Sequence, residues 1–194
     1  MISRNRCCRI YLLVALSAAF LSGTALATTL ARMDLDTLAR STEMIIRARC
    51  ISTSSHWESG SIWTFAGFAV IETFKGAPPQ ELRVRLAGGR AGHLETKVQG
   101  VPRFVVGEEV VLFVERTSAG DYGVTSWAQG TFRIHRDAAG DARLSQDTSQ
   151  FAVFDSRTRQ FAPSGIRNIS LSEFRDRISV ALTAPLPPRL ESVR

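Results

Sequence analysis

The densest apolar stretch of the chain runs from Ile62 to Pro79, IWTFAGFAVIETFKGAPP. Trp63, Phe65, Phe68, Val70, Ile71 and Phe74 are aromatic or β-branched and set too closely for a surface loop. They predict a long central strand with partners on both sides. Phe68 and Val70, two apart, share one face of the pleat. Ile71 and Phe74 break that parity, so either both faces are covered or a bulge shifts the register after Val70. Gly67, lacking a Cβ, suits a bend. Thr64, Gly67, Val70, Ile71 and Thr73 disfavour a buried helix here.

The flanking patterns are strand-like as well. Asp34 is placed to cap a short helix through Leu35, Leu38 and Ala39. From Thr42 to Ser55, Met44, Ile46, Ala48 and Cys50 alternate with Arg47 and Arg49, which reads as a half-buried strand. Ser52 to Gly60, STSSHWESG, reads as a polar connection, so that this strand and the central one form a long hairpin. Leu82, Val84 and Leu86 alternate with Arg83 and Arg85 in a third strand. Ala87 to Gly92 is a loop, His93 to Val98 a short strand, Gly100 to Gly107 a turn and Glu109 to Glu115 a strongly apolar fourth strand. A turn from Ser118 to Gly123 leads into a strand from Val124 to Ile134, kinked at Gly130, where Gln129 is placed to bond backbone. Asp137 to Asp141 makes a further hairpin turn, and Phe151 to Phe154 a short strand. Ser170 and Glu173 have capping-box spacing. Leu171, Phe174, Ile178 and Leu182 then follow at helical intervals, predicting an amphipathic helix laid on the sheet. Pro185, Pro187 and Pro188 end it and predict a disordered tail to Arg194. The pattern is mainly β, a small antiparallel barrel with a short N-terminal and an amphipathic C-terminal helix.

The N-terminus changes the picture. MISRNRCCR carries three arginines and no acid, an apolar run follows from Ile10 to Leu21, and small residues end at Ala25-Leu26-Ala27. This order predicts a signal peptide over 1–27, cleaved after Ala27, and a secreted or periplasmic protein. The apolar run is about half the roughly 20 residues a bilayer-spanning helix needs, so no stable membrane span is expected after cleavage. The mature chain would start at Thr28 and keep 167 of the 194 residues, enough for one domain over 28–184. The formal charge of +6 falls to +3 once Arg4, Arg6 and Arg9 are gone. Cys7 and Cys8 leave with the same segment. Cys50 remains as the only thiol, so packing rather than an intrachain disulfide must hold the fold.

Three groups of residues carry a resemblance. Thr42 to Arg49, TEMIIRAR, the aromatic strand and its Phe74-Lys75-Gly76 end resemble the N-terminal domain of the tissue inhibitors of metalloproteinases and, more broadly, the netrin-like group. Gly100-x-Pro102-x-Phe104-x-x-Gly107-Glu108-Glu109-Val110 and Trp127-x-Gln129-Gly130-x-Phe132 are similar to uncharacterised secreted bacterial proteins of the same barrel type. The likeness covers roughly Leu35 to Ile134. It implies an OB-like barrel, closed or partly open, and an inhibitor-like role. The inhibitors' N-terminal Cys-x-Cys, whose first cysteine chelates the protease zinc, is Thr28-Thr29-Leu30-Ala31 here, so that device does not carry over.

Candidate chemistry is sparse. His56, His93 and His135 are the only histidines, and none has metal-ligand spacing. A site assembled in space from His56, Glu58 and His93 is the metal-hydrolase alternative. Cys50 on an apolar strand face reads as an inert core thiol. There is no Gly-x-Ser-x-Gly elbow, and Gly88 to Gly92 lacks the Lys-Ser/Thr of a phosphate loop. Arg83, Arg85, Arg90 and Arg103 could form a basic face with Trp57, Trp63, Phe65 and Trp127, but export and a small net charge argue against nucleic acid. Trp57, in a polar setting, reads either as an interface anchor or as a lid folded over the barrel end. The expectation is therefore an exported, non-enzymatic binding or inhibitor-like module with no cofactor. Its partner would be another exported protein, a protease first, bound through Thr28, His56, Trp57, Glu58, Arg90 and His93. A metal-dependent hydrolase and an envelope structural or glycan-binding protein are the alternatives.

Overall fold

Two antiparallel strands, β1 (Met44–Glu58) and β2 (Ser61–Lys75), form the long hairpin on which the molecule is built. The computed structural model describes residues 32–148, 153–155, 158–162 and 165–184. The expected signal segment, the mature start at Thr28, the first residues of the Phe151–Phe154 strand and the tail from Pro185 lie outside them. The parity breaks of the central strand are resolved by bulges. The register passes from Ile45–Lys75 to Ile46–Thr73 and from Arg47–Glu72 to Ala48–Val70, leaving Phe74 and Ile71 as the extra residues of β2. A third bulge puts Ile51 out of pair in β1. Gly67 lies opposite Ser52 at that bulge, where a Cβ would come within 2.5 Å of the Ser52 Oγ.

The remaining elements wrap around this hairpin. They are α1 (Leu35–Ser41), β3 (Glu81–Ala87), β4 (Gly89–Ala91), β5 (Leu94–Thr96), β6 (Glu109–Arg116), β7 (Tyr122–Val124), a 3-10 turn (Trp127–Gly130), β8 (Thr131–Arg136), β9 (Ala142–Gln146), β10 (Val153–Asp155), β11 (Gln160–Ala162), β12 (Ile169–Ser170) and α2 (Leu171–Thr183). The main sheet runs β1-β2-β3-β7-β6-β8-β9-β12, and an extra β1–β6 pairing bends its first part into a ring. The fold is mainly β, a partly ring-closed, barrel-like sheet with a short helix near each end of the described chain. The ring is thinnest where β3 meets β7, a parallel contact of one register pair, Val84–Tyr122. Arg83 Nε reinforces that seam by donating to Asp121 Oδ1 at 2.7 Å.

β6 and the first half of β1 contribute to a core on each face, which explains why β6 reads as the continuous run Val110-Val111-Leu112-Phe113-Val114. Met44, Ile46, Ala48, Val110, Leu112 and Val114 point into the barrel with Phe68, Leu82, Val84 and Phe104. Ile45, Val111 and Phe113 point outward into a second core with Phe132, Leu144, Leu38, Phe174 and Ile178. There the Phe174 ring meets Phe74, Phe113 and Phe132 edge-on. β6 can serve both because its far edge divides, pairing with β8 over Val110–Leu112 and with β7 over Val114–Arg116.

Both helices start as the sequence predicts. Asp34 Oδ1 accepts from the Thr37 N–H at 2.7 Å, and Ser170 Oγ from the Glu173 N–H at 3.1 Å. Lys75 Nζ donates to the carbonyls of Ala39, Arg40 and Thr42 at 2.8, 3.0 and 2.6 Å, satisfying the C-terminal end of α1. Three local expectations are corrected. Ser52 to Glu58 is not a polar connection but the second half of β1, and only Ser59 and Gly60 turn. Gly89–Ala91 is a short strand paired with Leu94–Thr96, not loop. The expected strand from Val124 to Ile134 is interrupted by the 3-10 turn, where Gln129 Oε1 accepts from the Met33 N–H at 2.9 Å.

Candidate functional site

The hairpin end carries three of the six nominated residues, His56, Trp57 and Glu58. Ser59 and Gly60 both take positive φ, 49° and 80°, so the two-residue turn is of the type that matches strand twist and keeps the hairpin regular to its tip. Alternate residues of the strand then face opposite sides. His56 and Glu58 share the outer face with Phe65 and Trp63 of β2, while Trp57 takes the other face. Trp57 is 57% exposed, the most open aromatic among the described residues.

The outer face is an interlocked stack. The His56 ring lies parallel to Phe65 with centroids 4.8 Å apart, and its Nε2 is 3.8 Å from Glu58 Oε2. The Arg85 guanidinium sits 4.2 Å over the Trp63 ring and 3.3 Å from Glu58 Oε1. Arg83 covers the other side of Phe65 at 5.0 Å. Asp121, buried at the β3–β7 seam, takes Arg83 at 2.6 Å and lies 4.0 Å from Arg85. The chemistry of this surface is already internally matched. Its ring faces are covered by cations and its cations are held by carboxylates, so it fixes the shape of the hairpin rather than offering an open basic face.

Beside the hairpin is a cleft of about 240 Å³. Its walls include Thr53, Ser55, Thr64, Arg90, Glu95 and Arg103. Ser55 Oγ and Thr64 Oγ1 share a hydrogen bond of 2.7 Å, and Thr64 donates onward to the Gly88 carbonyl at 2.7 Å. Gly89 forms the floor at φ +134°, where a Cβ would meet Thr64 Oγ1 at 2.2 Å, so only glycine lets β4 lie this close to the hairpin. Arg103 binds Glu95 Oε1 at 3.3 Å, and this bond, with Lys97 nearby, holds the Glu95 carboxyl below its ordinary range. A second, wider hollow of about 740 Å³ continues along residues 97–103 to Arg133 and Asp147. Burial opposes the charge on Arg133, but Asp147 at 2.7 Å and Glu108 more than offset it and raise its pKa.

The nominated residues therefore do not come together in one place. His56 and Glu58 adjoin on the outer face, Trp57 projects from the same strand end, and Arg90 stands in the cleft. His93 is exposed in the β4–β5 turn, and no hydrogen bond or ion pair joins it to His56 or Glu58 among the described residues. No group of three histidine, cysteine or acidic side chains able to hold a metal occurs among the described residues. Thr28 lies outside them. Cys50 is buried in the barrel, and burial raises its thiol pKa, which disfavours the reactive thiolate. Two contributors escaped the sequence reading. Asp121 sits in a turn with nothing to mark its two arginines, and the Ser55–Thr64 pair emerges only once the β1–β2 register is known. No protein-family model, curated protein or solved structure matches the chain.

Proposed function

We propose that the protein is an exported, non-enzymatic binding module that takes another exported protein at the β1–β2 hairpin end and the adjoining cleft. The observation that carries this reading is Trp57. It is a large, open aromatic on a strand whose opposite face is locked by the His56–Phe65 and Arg85–Trp63 stacks. An aromatic anchor on a pre-organised frame loses little entropy on binding and is the usual centre of a protein interface. The resemblance to metalloproteinase inhibitors makes an extracytoplasmic protease the first partner to try. Inhibition through an N-terminal amine is not part of the reading, since Thr28 has no cysteine staple to hold it.

The test is capture of exported proteins by the purified mature chain. Trp57→Ala and Arg90→Ala should each remove a partner that the unaltered chain retains. Retention of every partner by both variants overturns this site. A glycan-binding role is a second reading, favoured by the hydroxyl-lined cleft next to Trp57. It predicts retention on isolated cell-wall polysaccharide that free protein partners do not compete away.

A further inference from the structure

The second half of β1 is an open sheet edge. β1 pairs with β6 only from Met44 to Arg49, and the Gly107 N–H donating to the Cys50 carbonyl at 2.8 Å is the last bond on that side. From Ser52 to Glu58 no strand lies against the outer edge among the described residues. The register shows which groups face out. A two-residue turn makes Glu58–Ser61 a mutually bonded pair, and bonded pairs then alternate with unbonded ones at His56–Trp63 and Ser54–Phe65. Trp57–Ile62, Ser55–Thr64 and Thr53–Ala66 are the unbonded pairs. The Ile62 carbonyl agrees, since it turns away from β1 to accept the Gly88 N–H at 2.9 Å. The N–H and C=O of Thr53, Ser55 and Trp57 thus point outward, spaced over roughly 13 Å.

Such an edge is ordinarily blunted by lysine, proline or charge, and Ser52 to Trp57 carries none of these. Open apolar side chains stand at both ends. Ile51, Val105 and Val106 adjoin the Cys50–Gly107 bond, and Trp57 marks the tip. Thr53 and Ser55 also wall the cleft that holds Arg90. Arg90 forms no ion pair among the described residues; its Nε donates only to the Gly92 carbonyl at 3.3 Å.

We infer that this edge takes an extended segment of a partner protein as an added strand, with an acidic side chain of that segment entering the cleft toward Arg90. Main-chain bonds to Thr53, Ser55 and Trp57 supply affinity, and alternate side chains supply selectivity. The inference deepens the binding-module reading and rests on it. A second copy of this chain is the poorer occupant, because its own Ser52–Trp57 stretch brings no carboxylate to Arg90.

The probes are eight-residue peptides alternating valine and glutamate, the same peptides with lysine for glutamate, and two versions of the glutamate peptide N-methylated on one or the other alternate set of residues. The glutamate peptide should slow amide exchange at Thr53, Ser55 and Trp57 by about ten-fold or more at saturation. It should bind about ten-fold tighter than the lysine peptide, and one methylation pattern should abolish binding while the other spares it. Arg90→Glu should reverse the preference between the glutamate and lysine peptides. Thr53→Pro, which removes one outward N–H, should weaken binding about ten-fold. If that variant fails to fold, the exchange pattern of the unaltered chain decides. Absence of binding by either peptide at millimolar concentration, protection at other amides, or equal binding of both methylated forms overturns the inference. Edge protection that grows with protein concentration alone assigns the edge to a second copy and overturns the acidic partner. An exported partner held equally by the unaltered chain and Thr53→Pro overturns the edge but leaves the binding-module reading standing, whereas failure to capture any exported protein removes that reading.

Discussion

The two halves of β1 make opposite use of one strand. From Met44 to Cys50 it has a neighbour on each edge and a core on each face, and its apolar side chains are all sealed. From Ser52 to Glu58 it has one neighbour, no buried side chain and an outer edge open to solvent. The hairpin pairing resumes beyond the Ile51 bulge, so the difference lies in what surrounds the backbone. The first half gains stability from two hydrophobic layers. The second is held by main-chain pairing with β2 and by the ring stacks on its outer face. The Ile51 bulge marks the changeover, where β6 departs and the parity of β1 resets.

Substitutions placed on either side of that bulge should break the contrast into numbers. Phe68 pairs with Cys50 in the sealed half, is fully buried, and meets Phe104 edge-on at 5.0 Å. Phe68→Ala should cost about 3–5 kcal/mol in urea unfolding, enough to unfold a marginal domain. The polar belt outside the sealed half is worth less. Arg175 of α2 bonds Glu72 of β2 at 2.7 and 3.0 Å and holds its carboxyl below the ordinary glutamate range, with Arg47 adding to the effect. A depressed folded pKa contributes stability above the unfolded value and loses it as pH falls through the folded one. Arg175→Ala should therefore cost no more than about 1 kcal/mol at pH 7, given the partial exposure of the pair. The difference from the unaltered chain should vanish in strongly acidic buffer, as parallel urea titrations would show. On the open half, Trp57→Ala should change stability by less than about 0.5 kcal/mol while abolishing partner capture. A Trp57 variant that destabilised the domain as much as Phe68→Ala would make the hairpin end part of the core and erase the distinction.

The same boundary separates what the sequence made legible from what it hid. Met44 to Cys50 alternates so plainly that its face and its buried thiol are read directly, and the odd parity of Ile71 and Phe74 leaves a choice between two covered faces and a bulge, which the register settles. The helix caps were visible because Asp34, Ser170 and Glu173 act over three residues. Ser52 to Glu58 has the sequence of a connection because its serines and threonine resemble loop, whereas its strand character comes from pairing with β2. The exposure of Trp57 was visible from its polar setting. The cleft was not, because it depends on Thr64 and Gly89 meeting across a register that no local pattern specifies. The break at Trp127–Gly130 was hidden for a similar reason. Val124 and Phe132 both suit strands, and only the division of the β6 edge between β7 and β8 requires a turn between them.

The way Lys75 is used has a practical consequence. The chain contains two lysines, and the ammonium of one is occupied by three carbonyl oxygens beneath α1. Lys97 stands 75% open with only Glu95 near it, on the wall of the wider hollow. Amine-directed coupling to a sensor chip or a dye would therefore fall on Lys97 among the side chains, and would leave the hairpin end and the smaller cleft facing the solution.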